Sequence, residues 1–496
     1  MSYLSILKLA APETIVVITV LAVLAVDLLA LREFELRIRL PIGAMVSCAG
    51  CAAAIAWMLA LPGERANFMQ GMLVVDPLTQ LVKAALLVLT IFTILLSIET
   101  DFTTHVGEYF ALILLAAVGM MFLVSSEDIL MIFISLELTS LSLYILTAFN
   151  KRNVKSAEAA LKYFLFGGMA AAFTLFGLSL LYGLSGATNL GQIATALNGK
   201  GLDPLLILAI VMTVIGFGFK VAAVPFHLWA PDAYEGAPAP SAAFIASGSK
   251  VASFFIFAKV MMLGFAGAEG SGAWRGYLPG WVPVVAIVAA ASMVLGNLVA
   301  IVQNSVRRLL AYSAIAHAGY MLLGVLAHGG QSLAALTYYV VTYGLTTLGA
   351  FGVVLVVQQR AGGDSLADFA GLSRRAPVVA FCMMIFMLSL AGIPPLAGFF
   401  GKFYVFTAAV GTAPENLGLL WLVILAVAMS AVSLYYYLQV LKQIYLFDPP
   451  TPAGATPTPL SRQIVLALLA FAVVALGCAP DLLIGRLVAA IKLAGL

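Results

Sequence analysis

Apolar runs long enough to cross a membrane follow one another from end to end of this chain, broken by short clusters of charge, glycine and proline. A bilayer core takes about 20 apolar residues per helical crossing, so each run reads as one span. The runs fall at Pro12–Leu31, Leu40–Leu61, Val74–Ser97, Tyr109–Val124, Ile129–Phe149, Glu158–Leu184 and Asp203–Val224. They continue at Ala239–Phe265, Trp281–Gln303, Arg308–Leu326, Ser332–Gln359, Pro377–Val410, Leu417–Tyr445 and Arg462–Pro480. Fourteen helical crossings predict an all-α polytopic membrane protein. The first run passes straight into Arg32 without a cleavage site and is too long for a signal-peptide core, so it reads as a retained span.

Composition agrees. Of 496 residues, 63% are hydrophobic and 9% charged, against about 45–50% and 25% in soluble domains. A soluble globule is excluded, and the lipid bilayer is the expected surrounding. The net charge of +3, from 25 basic and 22 acidic side chains, is too balanced to imply nucleic acid. Placement of the cations is more informative. Loops after odd-numbered spans carry thirteen of them and the opposite side six, so the positive-inside rule predicts both termini on the side away from the cytoplasm. Counting Arg308, Lys442 and Arg462 at run ends with the loops, the remaining six, Lys83, Lys162, Lys220, Lys250, Lys259 and Lys402, are all lysines.

Lysine can release its proton when buried and arginine effectively cannot, so this choice suits a proton carrier. Lys83, Lys162 and Lys259 are expected to snorkel from span ends. Lys250 has no such route: it sits near the middle of its run, between Ser247-Gly-Ser249 and Ser253. Lys220 lies between Gly216-Phe-Gly218 and Pro225, and Lys402 follows Gly392-Ile-Pro-Pro395 and Gly398-Phe-Phe-Gly401. Prolines in mid-run remove backbone donors, which predicts broken helices at spans 7 and 12. Their freed backbone groups must be buried in protein or line a hydrated cavity. The two interruptions lie five spans apart, as two five-helix units would require; five is odd, so the second copy would be inverted.

Glu137 alone among the acids sits near the centre of a run, where a charge costs about 3 kcal/mol. It needs a cation, and Lys220 and Lys250 are both open as its mate. Glu158 and Lys162, four apart with the acid first, form a favourable helical pair. His227 lies in the first interruption and His317 in span 10, both suited to shuttling protons. Cys48 and Cys51 read as packing residues in an apolar run. Without a strand-borne G-x-G-x-x-G, a P-loop or a cysteine cluster, the chain is expected to hold no metal, cofactor or redox centre of its own.

Four segments carry a resemblance: Ser135-Leu-Glu-Leu-Thr-Ser-Leu-Ser-Leu-Tyr144, Ser156-Ala-Glu-Ala-Ala-Leu-Lys-Tyr-Phe164, Pro225-Phe-His-Leu-Trp-Ala-Pro-Asp-Ala-Tyr-Glu-Gly-Ala-Pro238 and Gly392-Ile-Pro-Pro-Leu-Ala-Gly-Phe-Phe-Gly-Lys-Phe403. Along essentially its whole length the chain resembles the antiporter-like subunits of respiratory complex I, and among them the subunit N family, counterpart of mitochondrial NADH dehydrogenase subunit 2. Tyr234-Glu-Gly-Ala-Pro238 is subunit N-like, and span 12 carries a lysine where subunit M has a glutamate. The long lateral helix of subunit L is not expected after the last span.

The resemblance implies inverted repeats of helices 4–8 and 9–13 and a central hydrophilic axis. It divides the chain into residues 1–107, a three-helix segment; 108–267 and 268–447, the two repeats; and 448–496, a Pro-rich loop at 449–459 with helix 14. It assigns proton transfer to Glu137, Lys220, Lys250 and Lys402, and matches Glu158, Lys162 and His227 to polar family positions. It implies a subunit that couples NADH:quinone electron transfer to proton translocation in a bacterial inner membrane. Its partners would be subunit M, small membrane subunits, and a peripheral arm holding FMN, iron–sulfur clusters and the quinone site. The alternatives are an Mrp-type cation/proton antiporter and a non-conducting scaffold.

Overall fold

The computed structural model describes residues 7–60, 66–412, 414–448 and 458–495. Arg65 and residues 449–457 of the expected Pro-rich loop lie outside them. Among the described residues, twelve helices are long and apolar enough to cross a membrane. They are α1 (Ala11–Ala30), α2 (Leu36–Ala60), α3 (Pro77–Ser97), α4 (Val106–Val124), α5 (Ile129–Thr147), α6 (Val154–Ser185), α8 (Ala239–Gly264), α9 (Trp281–Ile301), α10 (Val306–Leu326), α11 (Gly330–Ala361), α14 (Leu420–Leu446) and α15 (Leu460–Cys478). Three shorter apolar helices complete the series: α7 (Pro204–Lys220), α12 (Pro377–Ala391) and α13 (Ala397–Val410). The all-α expectation holds but for a two-stranded hairpin, Ala66–Phe68 with Leu73–Val75. The chain also adds an unforeseen helix at Asp481–Ala494.

Local sequence sets the helix starts. Asp128 accepts from the amides of Leu130 and Met131, Asp203 from Leu205, Ser305 from Arg308, and Asp76 and Thr79 form a reciprocal capping box. Each side chain satisfies donors that the first helical turn leaves unpaired. Pro204 and Pro377 occupy first-turn positions that need no amide.

Helices α8, α10 and α11 form the centre: their apolar windows are 94–100% buried, against 33% in α1, α6 and α14. Helices α9 and α10 pack closely because a side chain at Gly296 would strike the Ala316 backbone and one at Gly319 the Ala289 carbonyl, the small-residue contact that helices use in lipid.

Two main-chain clasps stand at corresponding places. The residues entering α5 pair with the residues after α6 through Ile129 N to Thr188 O, 2.9 Å, and Leu190 N to Glu127 O, 2.8 Å. The residues entering α10 pair with those after α11 through Val306 N to Asp364 O and Leu366 N to Asn304 O, both 2.8 Å. The helices they enclose, α6 and α11, are each 32 residues long.

Candidate functional site

The first interruption follows α7. Its helical hydrogen bonding ends at Lys220, and residues 221–228 run as turns, with Ala222 at φ +56° and a cis peptide before Pro225, until a short helix resumes at Trp229–Gly236. The segment is held from several sides. Val224 N donates to Ser292 Oγ of α9, 2.8 Å, and the Trp229 indole donates to Phe219 O, 3.0 Å. His227 is buried within it.

Lys220, the last residue of α7, points its ammonium at α5. It donates to Ser140 Oγ at 2.5 Å, and Glu137 Oε1, one turn away on the same helix face, lies at 3.7 Å. The pair is thus Glu137 with Lys220. The carboxylate remains 27% exposed and the lysine 8%, so the acid sits at the edge of the interior and the cation inside it.

Lys250 follows a bend in α8 that sequence reasoning missed. Ser247 adopts φ −113°, ψ −78°, and the helix restarts at Gly248. The ammonium is buried, donates to the Ala314 carbonyl of α10 at 2.7 Å, and lies 5.9 Å from the Tyr343 ring centre.

The second interruption spans residues 392–396. Gly392 ends α12 at φ +87°, a left-handed conformation suited to glycine, and Pro394–Pro395 is cis. From α13, Lys402 reaches back to the end of α12. It donates to Leu390 O at 3.0 Å, Ala391 O at 3.1 Å and Ser430 Oγ of α14 at 2.8 Å. Unsatisfied carbonyls at a helix C-terminus carry partial negative charge, so this is a cation site built without an acid. His317 lies in the same interior, its ring nitrogens beside the hydroxyls of Tyr339 and Tyr437.

Glu158 and Lys162 belong to a separate cluster. Lys162 bonds Glu158 at 2.7 Å and Asp232 at 2.9 Å, while Arg308 clamps Asp232 at 3.0 Å and Glu235 at 2.8 Å. It ties the Trp229–Gly236 helix to α6 and α10. The buried Arg307 adds hydrogen bonds to the Tyr234 and Ala237 carbonyls.

The snorkelling expectation needs correcting for two lysines. Lys83 is buried against Glu13 of α1 at 2.6 Å, and Lys259 against Glu127 at 3.1 Å. In each case an acid far away in sequence supplies what the headgroup region would otherwise provide. Lys162 stays 41% exposed, with acid partners. Reasoning from sequence also missed Ser140, Ser430, Asp232 and Arg308. Asp232 and Glu235, one helical turn apart in a charge-poor chain, were the available signal. Among the described residues no group of three or more His, Cys, Asp or Glu side chains gathers as a metal site.

These features define a polytopic helical membrane protein in which three buried lysines, Lys220, Lys250 and Lys402, sit at helix breaks and bends. A family profile described as NADH:quinone oxidoreductase/Mrp antiporter, TM, matches residues 126–432. The NADH-quinone oxidoreductase subunit N 2 of Acidobacterium capsulatum is 53% identical, over 97% of this chain and 98% of the relative. A chain of respiratory complex I from Thermus thermophilus, solved with bound aureothin, superposes with a TM-score of 0.77 at 32% identity, covering 96% of this chain and 99% of that one. A chain of the Mrp complex from a Dietzia species shares the fold, with a TM-score of 0.80 at 21% identity over 98% and 97%. The chain belongs to the NADH:quinone oxidoreductase/Mrp antiporter family and, within it, to the subunit N branch of the NADH-quinone oxidoreductases.

Proposed function

We propose that this chain is the antiporter-like subunit through which an NADH:quinone oxidoreductase complex moves protons across a bacterial inner membrane, with Glu137, Lys220, Lys250 and Lys402 as the moving charges. The observation that carries this reading is the Glu137–Lys220 geometry. At 3.7 Å, with Ser140 holding the ammonium at 2.5 Å, the pair is one small side-chain movement from a direct ion pair and one from separation. Two unit charges about 4 Å apart interact by roughly 4 kcal/mol at intermediate dielectric, about a thousandfold in a proton equilibrium. Opening the pair leaves the Lys220 charge to repel a proton from Lys250 toward Lys402, with His317 between them. His227, in the Lys220 segment, and the Glu158–Lys162 cluster, bonded through Asp232 to the short helix after that segment, are placed to feel the same movement.

Fourteen crossings follow if α7 with its interruption counts as one and α12 with α13 as another, beside the twelve long helices. The paired clasps and equal lengths of α6 and α11 support inverted repeats within residues 108–267 and 268–447, between the 1–107 segment and the 448–496 end. The cation bias of the loops supports both termini facing away from the cytoplasm. Subunit M and small membrane subunits are the lateral partners. The peripheral arm supplies the electron transfer, through FMN, iron–sulfur clusters and quinone. None of these groups is assigned to this chain.

In an assembled complex in vesicles, Glu137→Gln and Lys250→Ala each abolish NADH-driven proton pumping; intact pumping in both sinks the reading. The shared fold of the Mrp chain favours one rival, a cation/proton antiporter. Co-purification with iron–sulfur proteins separates the two, since a stand-alone antiporter travels without them.

A further inference from the structure

Helices α10 to α15 contain no Asp or Glu, so the helices around the Lys402 ammonium offer it no carboxylate. Its three N–H bonds end on Leu390 O, Ala391 O and Ser430 Oγ. A fourth neighbour accepts no hydrogen bond: the Tyr320 ring of α10 stands over the ammonium, 5.1 Å from Nζ to the ring centre. An aromatic face within about 6 Å attracts a cation through its quadrupole, most strongly where water is excluded. Both Tyr320 and Lys402 are buried. Lys220 and Lys259 also lie near rings, at 5.7 and 5.9 Å, but those are Phe219 and Phe255 of their own helices. Tyr320 comes from a different helix, so only the tertiary structure brings it to its cation.

The ring is also held in place. Gly296 and Gly319 let α9 and α10 touch, and the residues that follow them, Asn297 and Tyr320, meet at this contact. Asn297 Nδ2 donates to Met293 O at 2.7 Å and to the Tyr320 hydroxyl oxygen at 2.9 Å. A carbonyl only accepts, so the Met293 contact fixes which end of the amide carries the nitrogen and makes Tyr320 the acceptor. At the other end Oδ1 accepts from the Tyr436 hydroxyl of α14 at 3.0 Å. One buried amide thus ties α9, α10 and α14 together at the oxygen of the ring. The ring itself meets His317 at 5.6 Å and Phe406 of α13 at 6.1 Å, both edge to face.

We propose that Tyr320 is the charge-holding wall of the Lys402 site, its ring face retaining the ammonium, and that Asn297 is the positioning residue that keeps the ring there. This rests on the reading of Lys402 as a carrier. The ring attracts the ammonium and not the neutral amine, so it favours the protonated form. A contact of this kind amounts to about two- to thirtyfold in the proton equilibrium. The titratable groups facing the site are His317 of α10, Tyr338, Tyr339 and Tyr343 of α11, and Tyr436 and Tyr437 of α14. Lys250 of α8 acts on the same imidazole as Lys402. Helix α12 adds only Cys382, and α15 only Cys478 and the terminal Arg462. None of these is negative near neutral pH, so nothing replaces the ring when it is removed, and Lys402 then gives up its proton at lower pH.

The test uses the whole complex in membrane vesicles, with assembly checked on native gels and NADH-driven pumping followed against pH. At each pH, pumping is divided by NADH oxidation with an artificial electron acceptor. In Tyr320→Leu the alkaline limb is expected to move down by about 0.4–1.5 pH units, the shift that matches the lost attraction. Tyr320→Phe and Asn297→Ala keep the ring and break the bond that places it, so each is expected to move the limb by a smaller step. A limb that stays at its parental pH in Tyr320→Leu, whatever the pumping rate, reduces the ring to packing and overturns the proposal. A shift in Tyr320→Phe as large as in Tyr320→Leu overturns it too, by assigning the effect to the hydroxyl. Normal pumping in Lys402→Ala overturns the parent reading instead. If Tyr320→Leu fails to assemble, phenylalanines with successively more ring fluorines at position 320 keep the shape and weaken the negative face step by step. The limb must then fall with each fluorine, and an unchanged limb overturns the proposal.

Discussion

Lys220 and Lys402 both sit at broken helices, yet their ammonium groups are neutralised in different ways. Lys220 faces a carboxylate at 3.7 Å across a serine, whereas Lys402 is held by two helix-terminal carbonyls and a serine. Moving Glu137 changes the field at Lys220 while every proton stays in place. The carbonyls at Lys402 are fixed in the backbone, so that site changes its charge only by gaining or losing a proton. Under the proposed function, the first site is suited to receive a signal and the second to hold the cargo. The Glu13–Lys83 pair, at 2.6 Å and fully buried, shows a third condition, a closed pair outside the central axis.

The largest effect that bears on this contrast is expected from Glu137→Gln. With the acid neutralised, the Lys220 charge stands permanently uncompensated, and proton pumping by inverted vesicles is expected to fall to near background at normal complex content. Pumping at the parental rate would erase the distinction between the sites. Ser430→Asp makes the second site resemble the first by giving Lys402 a carboxylate. A pinned charge releases its proton slowly, and coupled turnover is expected to drop about tenfold, a cost near 1.4 kcal/mol.

Ser140→Ala is smaller. It removes one hydrogen bond to a charged group, about 1.5–3 kcal/mol of interaction, part of which Glu137 regains by closing on Lys220. A several-fold slowing of NADH-driven pumping is the expected readout. Smallest in function is Lys83→Met. Leaving Glu13 buried and unpaired costs about 3–5 kcal/mol of stability, read as less assembled complex and a lower melting temperature, with pumping per complex unchanged. Adding Glu13→Gln is expected to restore most of the lost assembly.

The spans, both interruptions and the central residues were legible because they depend on local composition: a run of apolar letters, a Pro-Pro, a charge where charge is expensive. Sequence reasoning narrowed the partner of Glu137 to two lysines and could go no further, since Lys220 and Lys250 are both remote from it in the chain. The same limit hid Glu13 from Lys83 and Glu127 from Lys259, so two buried pairs passed as snorkelling lysines. The bend at Ser247 carries no proline, and its serine and glycine are ordinary inside membrane helices. Tyr339 and Tyr437 carry no signal of their own in the sequence; only the fold brings their hydroxyls to one imidazole.

The two clasps that close α5 with α6 and α10 with α11 rest on paired peptide hydrogen bonds, to which the second adds Ser305 Oγ donating to Asp364 Oδ2 at 2.9 Å. A peptide hydrogen bond is indifferent to the letter above it, so these paired bonds do not constrain the residues that carry them, and Asp128 and Asn189 stand at one where Ser305 and Ser365 stand at the other. Architecture held in this way leaves the alphabet free to drift. One half could keep an acid beside its lysine and the other dispense with it while the scaffold under both stayed the same.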